Sequence, residues 1–138
     1  MSACAVVVAV ALLAASAAGA PPVLDEEMAE LAKMVRDECH GETGVDISLV
    51  EKINAGADLM PDPLLKCYIK CVMETAGMFS EGVVDVDMVI AMLPPELGQK
   101  NEPALRACGT QTGADDCDTA FLTQVCWQKA NKEDYFMI

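Results

Sequence analysis

The sequence predicts an all-α domain of six short helices crosslinked by three disulfides. Three observations lead to this fold class. Apolar residues recur at spacings of three and four, between aspartates that can cap helices and glycines or prolines that end them. Six cysteines remain once an apolar leader is set aside. No segment shows the alternation of apolar and polar residues that marks a half-buried strand.

The first 20 residues indicate a secretory signal peptide. They carry no charged side chain and pass from the apolar run Val6–Leu13 into small residues that end at Ala20, which is the order of an export signal and its cleavage region. The alternative is a membrane anchor, but the run is short for a hydrocarbon layer about 30 Å thick. We therefore predict a secreted, extracellular protein whose mature domain spans residues 21–138, with no stable membrane insertion.

The mature part is strongly acidic. The chain has 9 Lys and Arg against 22 Asp and Glu, a formal net charge of −13, and all of these charges follow the leader. Such a surface repels phosphate backbones and anionic lipids. We therefore expect no nucleic-acid partner.

The cysteines predict disulfides and not a metal site. Of the seven, Cys4 belongs to the leader, and six cysteines in a small exported chain are typical of three disulfides. A metal site needs C-x-x-C or Cys/His spacing, but the sequence has no C-x-x-C, and His40 is its only histidine. We expect no metal and no cofactor, and three disulfides among these residues: Cys39, Cys67, Cys71, Cys108, Cys117 and Cys126.

The first two helices follow from periodicity and caps. The apolar face of the first repeats at steps of four, three, four and four: Leu24, Met28, Leu31, Val35 and Cys39. Residues 41–44, with a glycine at each end, break this helix. A short second helix begins after the capping residue Asp46 and ends at Gly56.

The third and fourth helices have clear start signals. Asp62 followed by Pro63 combines a carboxylate cap with proline at the first helical position. Residues 79–82 predict a turn, and Asp85 then caps a short fourth helix. The apolar face of that helix has the spacing i, i+3, i+4 and i+7: Val86, Val89, Ile90 and Leu93.

The last two helices differ in the strength of their signals. In the fifth, which ends near Cys108, Pro103 limits how early the helix can begin; Asn101 is a candidate cap, and residues 98–99 lie in a loose loop. The sixth spans residues 117–130 and is apolar on more than one side, which indicates a central, buried helix.

Cys67 and Cys71 lie four residues apart, so they share one face of the third helix. A bridge between them would strain that helix, so each is expected to join a different neighbour. Six cysteines allow fifteen connectivities, and the sequence alone does not choose among them.

The cysteine spacing resembles that of the insect odorant-binding proteins. The arrangement is C-x27-C-x3-C-x36-C-x8-C-x8-C behind a leader, and the strings Leu65–Tyr68, Cys126–Trp127 and Tyr135–Phe136 are similar to those of one antennal subgroup. The resemblance covers nearly all of the mature chain. It implies six helices around a closed apolar cavity that carries odorants or pheromones through aqueous fluid. It also implies three disulfide pairs: Cys39–Cys71, Cys67–Cys117 and Cys108–Cys126.

The resemblance further implies that the tail, residues 135–138, lies over the cavity mouth and is held by a basic residue three positions before the first cysteine. That residue is Arg36, and we expect it to contact Tyr135 or the α-carboxylate of Ile138. Acidification toward the ordinary pKa of an α-carboxylate, about 3.3–3.7, would then loosen the lid. The alternative is a surface arginine, whose ion pairs are weak.

Eleven residues are candidate ligand contacts: Met28, Leu31, Val35, Val86, Val89, Ile90, Leu93, Gln124, Trp127, Tyr135 and Phe136. For each apolar one the alternative is packing in a solid core. Nine methionines and few aromatic residues suit a wall that adapts to varied ligands. Gln124 either orients an oxygen of the ligand or faces water.

The sequence offers no positive sign of catalysis. It lacks G-x-S-x-G and phosphate-binding glycine motifs, and the only histidine, His40, is placed in a loop. We therefore expect a carrier of small hydrophobic molecules, with an odorant receptor or a second copy of the chain as further partners. Two alternatives stay open: a carrier of the same fold in non-olfactory fluid, and a disulfide-rich secreted interaction or inhibitor protein with a filled core.

Overall fold

A computed structural model describes residues 24–138, so the predicted signal peptide lies outside the described residues. The described chain is almost entirely helical, with six helices as predicted. In chain order they are α1 (Glu26–Thr43), α2 (Ile47–Asn54), α3 (Pro63–Thr75), α4 (Val86–Met92), α5 (Pro95–Cys108) and α6 (Asp116–Ala130). Two short strands, β1 (Phe79–Ser80) and β2 (Val83–Val84), lie between α3 and α4.

Aspartate side chains cap five of the six helices. Each accepts a hydrogen bond from a main-chain N–H of the first turn, at donor–acceptor distances of 2.8–3.0 Å. The five are Asp25, Asp46, Asp62, Asp85 and Asp115. A cap of this kind satisfies a donor that has no partner within the helix, which is why the sequence located these starts.

The first helix is longer than predicted. It continues through Gly41 and ends at Gly44, which adopts the left-handed conformation with φ 68°. A glycine inside a helix costs only about 1 kcal/mol, so Gly41 alone does not end it. His40 therefore lies in the last turn of α1 and not in a loop.

The fifth helix begins at Pro95, eight residues before Pro103, and not near Pro103 after a cap at Asn101, as predicted. Pro95 occupies the first helical position, where proline is tolerated. An interior proline costs about 3 kcal/mol, and here the burial of Leu105 and the disulfide at Cys108 oppose that cost. Asn101 is consequently an interior residue of α5 and not a cap.

Residues 98–99 are also helical and not a loop. Gly98 is buried where α5 crosses α4, and a Cβ built on it would lie 3.1 Å from the main-chain oxygen of Ile90. The close approach of the two helices therefore favours glycine at this position, because a side chain would push the helices apart by a few tenths of an ångström.

The predicted turn at residues 79–82 forms the centre of a small β-hairpin. Phe79 pairs with Val84, and Ser80 pairs with Val83. Glu81 and Gly82 both have positive φ, 51° and 75°, which is the signature of the tight turns that favour hairpins. Strands of two residues are too short to show alternation, so the pattern did not reveal them.

Helix α3 lies at the centre of the fold, between α1 and α6. Cys39–Cys71 joins it to α1, and Cys67–Cys117 joins it to α6, while Cys108–Cys126 joins α5 to α6. These are the three pairs that the resemblance implies. As the shared face of α3 requires, Cys67 and Cys71 have separate partners.

Helix α6 is buried on more than one side, as its composition predicts, and its buried polar residues hold two loops. Gln128 accepts from the N–H of Leu59 at 3.0 Å and donates to the carbonyl of Ala57 at 2.9 Å. The hydroxyl of Thr123 accepts from the N–H of Gln111 at 2.9 Å. Among residues 24–138, no helix has both the length and the apolar content needed to cross a bilayer.

Candidate ligand cavity

A cavity of about 330 Å³ lies inside the helices. Its walls come from α1, α3, α4, α5 and α6 and from the tail, and most of the side chains that line it are apolar. The volume falls at the lower end of the range for small-molecule pockets, about 300–1,000 Å³. The interior is therefore hollow, and not the filled core expected of an inhibitor.

The structure places nine of the eleven candidate ligand contacts on the cavity wall: Met28, Leu31, Val35, Val89, Leu93, Gln124, Trp127, Tyr135 and Phe136. Leu31 is 45% exposed, so it lies at the mouth, whereas Val35 is buried. Direct contact of these residues with a ligand stays a prediction.

Val86 and Ile90 are not on the wall, which corrects the prediction for α4. Both are partly buried and pack against the hydrophobic core. Ile90 faces α5, where its Cγ2 lies 3.6 Å from the position that a Cβ on Gly98 would take. Helix α4 is seven residues long and is covered by α5 on one side, so only part of its apolar stripe faces the cavity.

The tail closes one side of the cavity, as the resemblance implies. All four residues from Tyr135 to Ile138 line it, and Met137 is 6% exposed. The side chain of Asn54 pairs with the main chain of Met137: the N–H of Met137 donates to Oδ1 at 2.7 Å, and Nδ2 donates to the carbonyl at 2.8 Å. The hydroxyl of Tyr68 donates to the main-chain oxygen of Ile138 at 2.6 Å.

Arg36 does not hold the tail, so that part of the prediction is wrong. Its Nη2 lies 3.6 Å from Oε1 of Glu51, and within residues 24–138 it makes no hydrogen bond or ion pair to Tyr135 or Ile138. The phenol of Tyr68 binds Ile138 instead. Arg36 is engaged by Glu51 on α2, whereas the hydroxyl of Tyr68 reaches the oxygen of Ile138 directly.

Tyr135 is bound from inside the cavity. Its hydroxyl donates to Oε1 of Gln124 on α6, and Gln124 is 8% exposed. Burial raises the pKa of Tyr135 above its ordinary value, and burial likewise raises the pKa of Tyr68 to about 12. Both phenols are therefore neutral donors at physiological pH.

A second polar group anchors the segment that leads into the tail. Oδ2 of Asp134 accepts from Nδ2 of Asn101 at 3.0 Å and from Nδ2 of Asn131 at 2.8 Å, and it pairs with Lys100 at 3.0 Å. The hydrogen bond from Asn101 is the largest influence that holds the pKa of Asp134 below its usual range, and Lys100 adds to it. Asn101 thus ties α5 to the tail.

The described wall of the cavity carries a negatively charged side chain but no positively charged one. Among the described lining residues, Asp134 is the only one with a charged side chain, and no Lys, Arg or His lines the cavity. The chamber therefore has no cation with which to neutralise an anionic ligand.

A comparison with known families identifies the family to which this chain belongs. The model of the PBP/GOBP family matches residues 23–130, which is most of the chain. The chain belongs to the PBP/GOBP family. The expected likeness to insect odorant-binding proteins is thereby confirmed.

Individual odorant-binding proteins support this assignment. The chain is 30% identical over 119 residues to general odorant-binding protein 56a of Drosophila melanogaster, covering 86% of each chain. It is 29% identical over 100 residues to general odorant-binding protein 69a of the same fly, covering 72% of this chain and 68% of that protein.

Solved odorant-binding proteins share the fold. The likeness to odorant-binding protein 5 of Apis mellifera has a TM-score of 0.74 at 26% identity and covers 84% of this chain and 98% of that one. The likeness to the fatty acid binding protein OBP56a from the oral disk of the blowfly Phormia regina has a TM-score of 0.67 at 33% identity, covering 81% and 98%.

The sequence did not predict several residues that line the cavity or anchor the tail of this odorant-binding fold. Helix α3 contributes Ile69 and Val72, and its C-cap residue contributes Ala76; the spacing of three and four between these residues was the available signal. It was not decisive, because α3 is apolar on several sides and such a helix fits a solid core equally well. The anchors Asn54 and Tyr68 left no local signal, since they meet the tail across 83 and 70 residues of sequence.

Proposed function

We propose that this protein is a secreted carrier that takes a small hydrophobic molecule, an odorant or a pheromone, into the cavity and moves it through aqueous fluid toward receptors. The observation that carries the proposal is the apolar chamber of about 330 Å³ beneath the tail, in a chain of the PBP/GOBP family. An unfilled cavity lowers stability because the atoms of its walls lack van der Waals partners on one side. A ligand in the chamber supplies those partners.

The relatives support a ligand of this class. The fly relatives are named odorant-binding proteins, and the blowfly structure is named a fatty acid binding protein. The common property of such ligands is an extended apolar body with a small polar group. An odorant receptor is the partner that such a carrier serves. Expression outside sensory tissue would favour the same carrier acting in another fluid.

The test is uptake of a fluorescent apolar probe, N-phenyl-1-naphthylamine, by the mature chain. We expect saturable one-to-one binding that ten-carbon alcohols or esters displace. Ala104→Phe places a ring in the cavity from α5 and should weaken probe binding at least about tenfold, because ligand and ring compete for the same space. Ala107→Phe is the matched control, since Ala107 is on the same helix but exposed.

The control variant should bind the probe as the unaltered protein does. Probe uptake that is unsaturable, or that Ala104→Phe and Ala107→Phe change equally, would contradict binding in the chamber.

A further inference from the structure

Gln124 presents a hydrogen-bond donor to the cavity. The residue is 8% exposed and lines the chamber from α6. Its Oε1 is occupied by the hydroxyl of Tyr135. Its Nε2 makes no hydrogen bond to any residue that the structure describes. The atom is nevertheless accessible to a small molecule, because it is not one of the fully buried polar atoms that lack a partner. A buried amide N–H with room beside it and no partner favours an acceptor in that room.

The other polar groups of the wall are already engaged or out of reach. Nδ2 of Asn101 donates to Asp134 and to the carbonyl of Leu97, and Nδ2 of Asn131 donates to Asp134 and to Oδ1 of Asn101. Trp127 Nε1 has no partner in the described chain, but the atom is completely enclosed, so a ligand in the chamber does not reach it. Thr75 is exposed, and its hydroxyl already contacts Sγ of Cys39 at 3.8 Å. Gln124 is therefore the inner donor that a ligand meets.

The tail fixes which face of the amide is offered. Because the hydroxyl of Tyr135 donates to Oε1 of Gln124, the carbonyl end of the side chain is held against the tail. The NH2 end then remains for the ligand. The same hydrogen bond links the polar group of a bound molecule, through one side chain, to the segment that covers it.

The charge of the wall excludes one kind of acceptor. A carboxylate ligand would lose its hydration, find no Lys, Arg or His among the described lining residues, and share the chamber with Asp134. Burial of an unpaired charge is strongly unfavourable. A neutral carbonyl oxygen needs only the single donor that Gln124 supplies.

Resting on the proposed carrier function, we propose that Nε2 of Gln124 donates a hydrogen bond to the carbonyl oxygen of a neutral aliphatic ketone, aldehyde or ester. The cavity thus selects neutral carbonyl compounds over hydrocarbons of the same shape and over fatty-acid anions.

The test compares two ligands of equal shape by displacement of N-phenyl-1-naphthylamine. These are 2-decanone and 2-methyl-1-decene, in which a CH2 group replaces the carbonyl oxygen. Gln124→Met removes the amide and keeps the side-chain length. We expect this variant to weaken the affinity for 2-decanone about five- to tenfold, the effect of losing one buried hydrogen bond. Its affinity for 2-methyl-1-decene should change less than about twofold.

Met92→Leu is the matched control, because Met92 lines the same cavity and the change keeps the wall apolar. It should alter the affinities for the two ligands by the same factor. At pH 7 decanoate should bind the unaltered protein at least about fivefold more weakly than 2-decanone, since its charge finds no partner. Equal losses of both ligands in Gln124→Met, or tighter binding of decanoate, would overturn the proposal.

The outcomes separate this proposal from the carrier function. If the unaltered protein binds neither ligand nor probe, the carrier function itself is wrong. If the ligands bind but the ratio of their affinities is the same in both proteins, only the role of Gln124 is wrong. Should Gln124→Met not fold, the assigned side-chain NH2 resonances of Gln124 in the unaltered protein decide: 2-decanone shifts them and 2-methyl-1-decene does not.

Discussion

Asn54 holds the tail with both ends of its side-chain amide. It accepts from the N–H and donates to the carbonyl of Met137, at 2.7 and 2.8 Å, so it pairs with the tail as a neighbouring strand would. Both main-chain groups would otherwise be buried without partners. Asn54 should therefore control how often the tail leaves the cavity.

Asn54→Ala should release the tail. Loss of two hydrogen bonds destabilises the closed tail by about 1–3 kcal/mol, so the amide of Met137 should exchange with solvent at least about fivefold faster in hydrogen-exchange measurements. Lys52→Ala, a change at an exposed position of the same helix, is the control. Unchanged exchange at Met137 would show that the tail is held by other contacts.

The groups that hold the tail do not titrate between pH 5 and 8. Asn54 and Gln124 are amides, and the hydroxyl of Tyr68, whose pKa is raised to about 12, stays protonated until pH rises through that value. Asp134 has a lowered pKa, so its contribution is present above its ordinary pKa and is lost as pH falls through the lowered one. Opening should thus require acid below about pH 4.

Probe affinity measured from pH 8 down to pH 3 should accordingly change less than about twofold until pH 5 and fall only below about pH 4. Asp134→Asn keeps the shape of the side chain but carries no charge, so it should flatten that final fall. His40, the only histidine, is exposed and does not line the cavity. A fall centred near pH 6 would contradict a tail held by neutral groups.

At the scale of the helices, the crossing of α4 and α5 depends on one glycine. A methyl group on Gly98 would lie 3.1 Å from the main-chain oxygen of Ile90, and main chain cannot move aside as a flexible side chain can. Both helices line the cavity, so this crossing also sets the position of one wall.

Gly98→Ala should lower the free energy of unfolding by about 1–2 kcal/mol, because overpacking outweighs the gain in helix propensity. Gly41→Ala is the matched control: it is also helical, but a Cβ there has nothing within 4 Å. That change should raise stability by about 0.5–1 kcal/mol. The denaturant concentration at the unfolding midpoint should fall for Gly98→Ala and rise for Gly41→Ala. A shift of both midpoints in the same direction would disprove the role of the crossing.

The sequence predicted those helix boundaries that depend only on residues a few positions apart. Caps such as Asp62 and Asp85 were correct because the donor they satisfy lies three residues away. The start of α5 was missed because packing and a disulfide override the local effect of Pro103. The same limit applies to the site. The face predicted for α1 lines the cavity, but Val86 and Ile90 of the face predicted for α4 do not, and Ile90 packs toward α5 because of tertiary packing.

At the scale of the whole molecule, three disulfides allow a small domain to remain folded around empty space. Each contributes roughly 2–4 kcal/mol by restricting the unfolded chain, and together they tie α1, α3, α5 and α6 into one frame. That frame offsets the destabilising effect of the unfilled cavity. The outer surface, with a net charge of −13, keeps the carrier in solution while its interior stays apolar.

The central claim is that a ligand occupies this chamber. The most direct test is a crystal structure of the protein with a bromine-labelled ten-carbon ketone, in which anomalous scattering locates the bromine. We expect one bromine site inside the chamber walled by Val35, Ile69 and Val89, beneath the tail. A bromine site on the outer surface, with side chains filling the chamber, would contradict it.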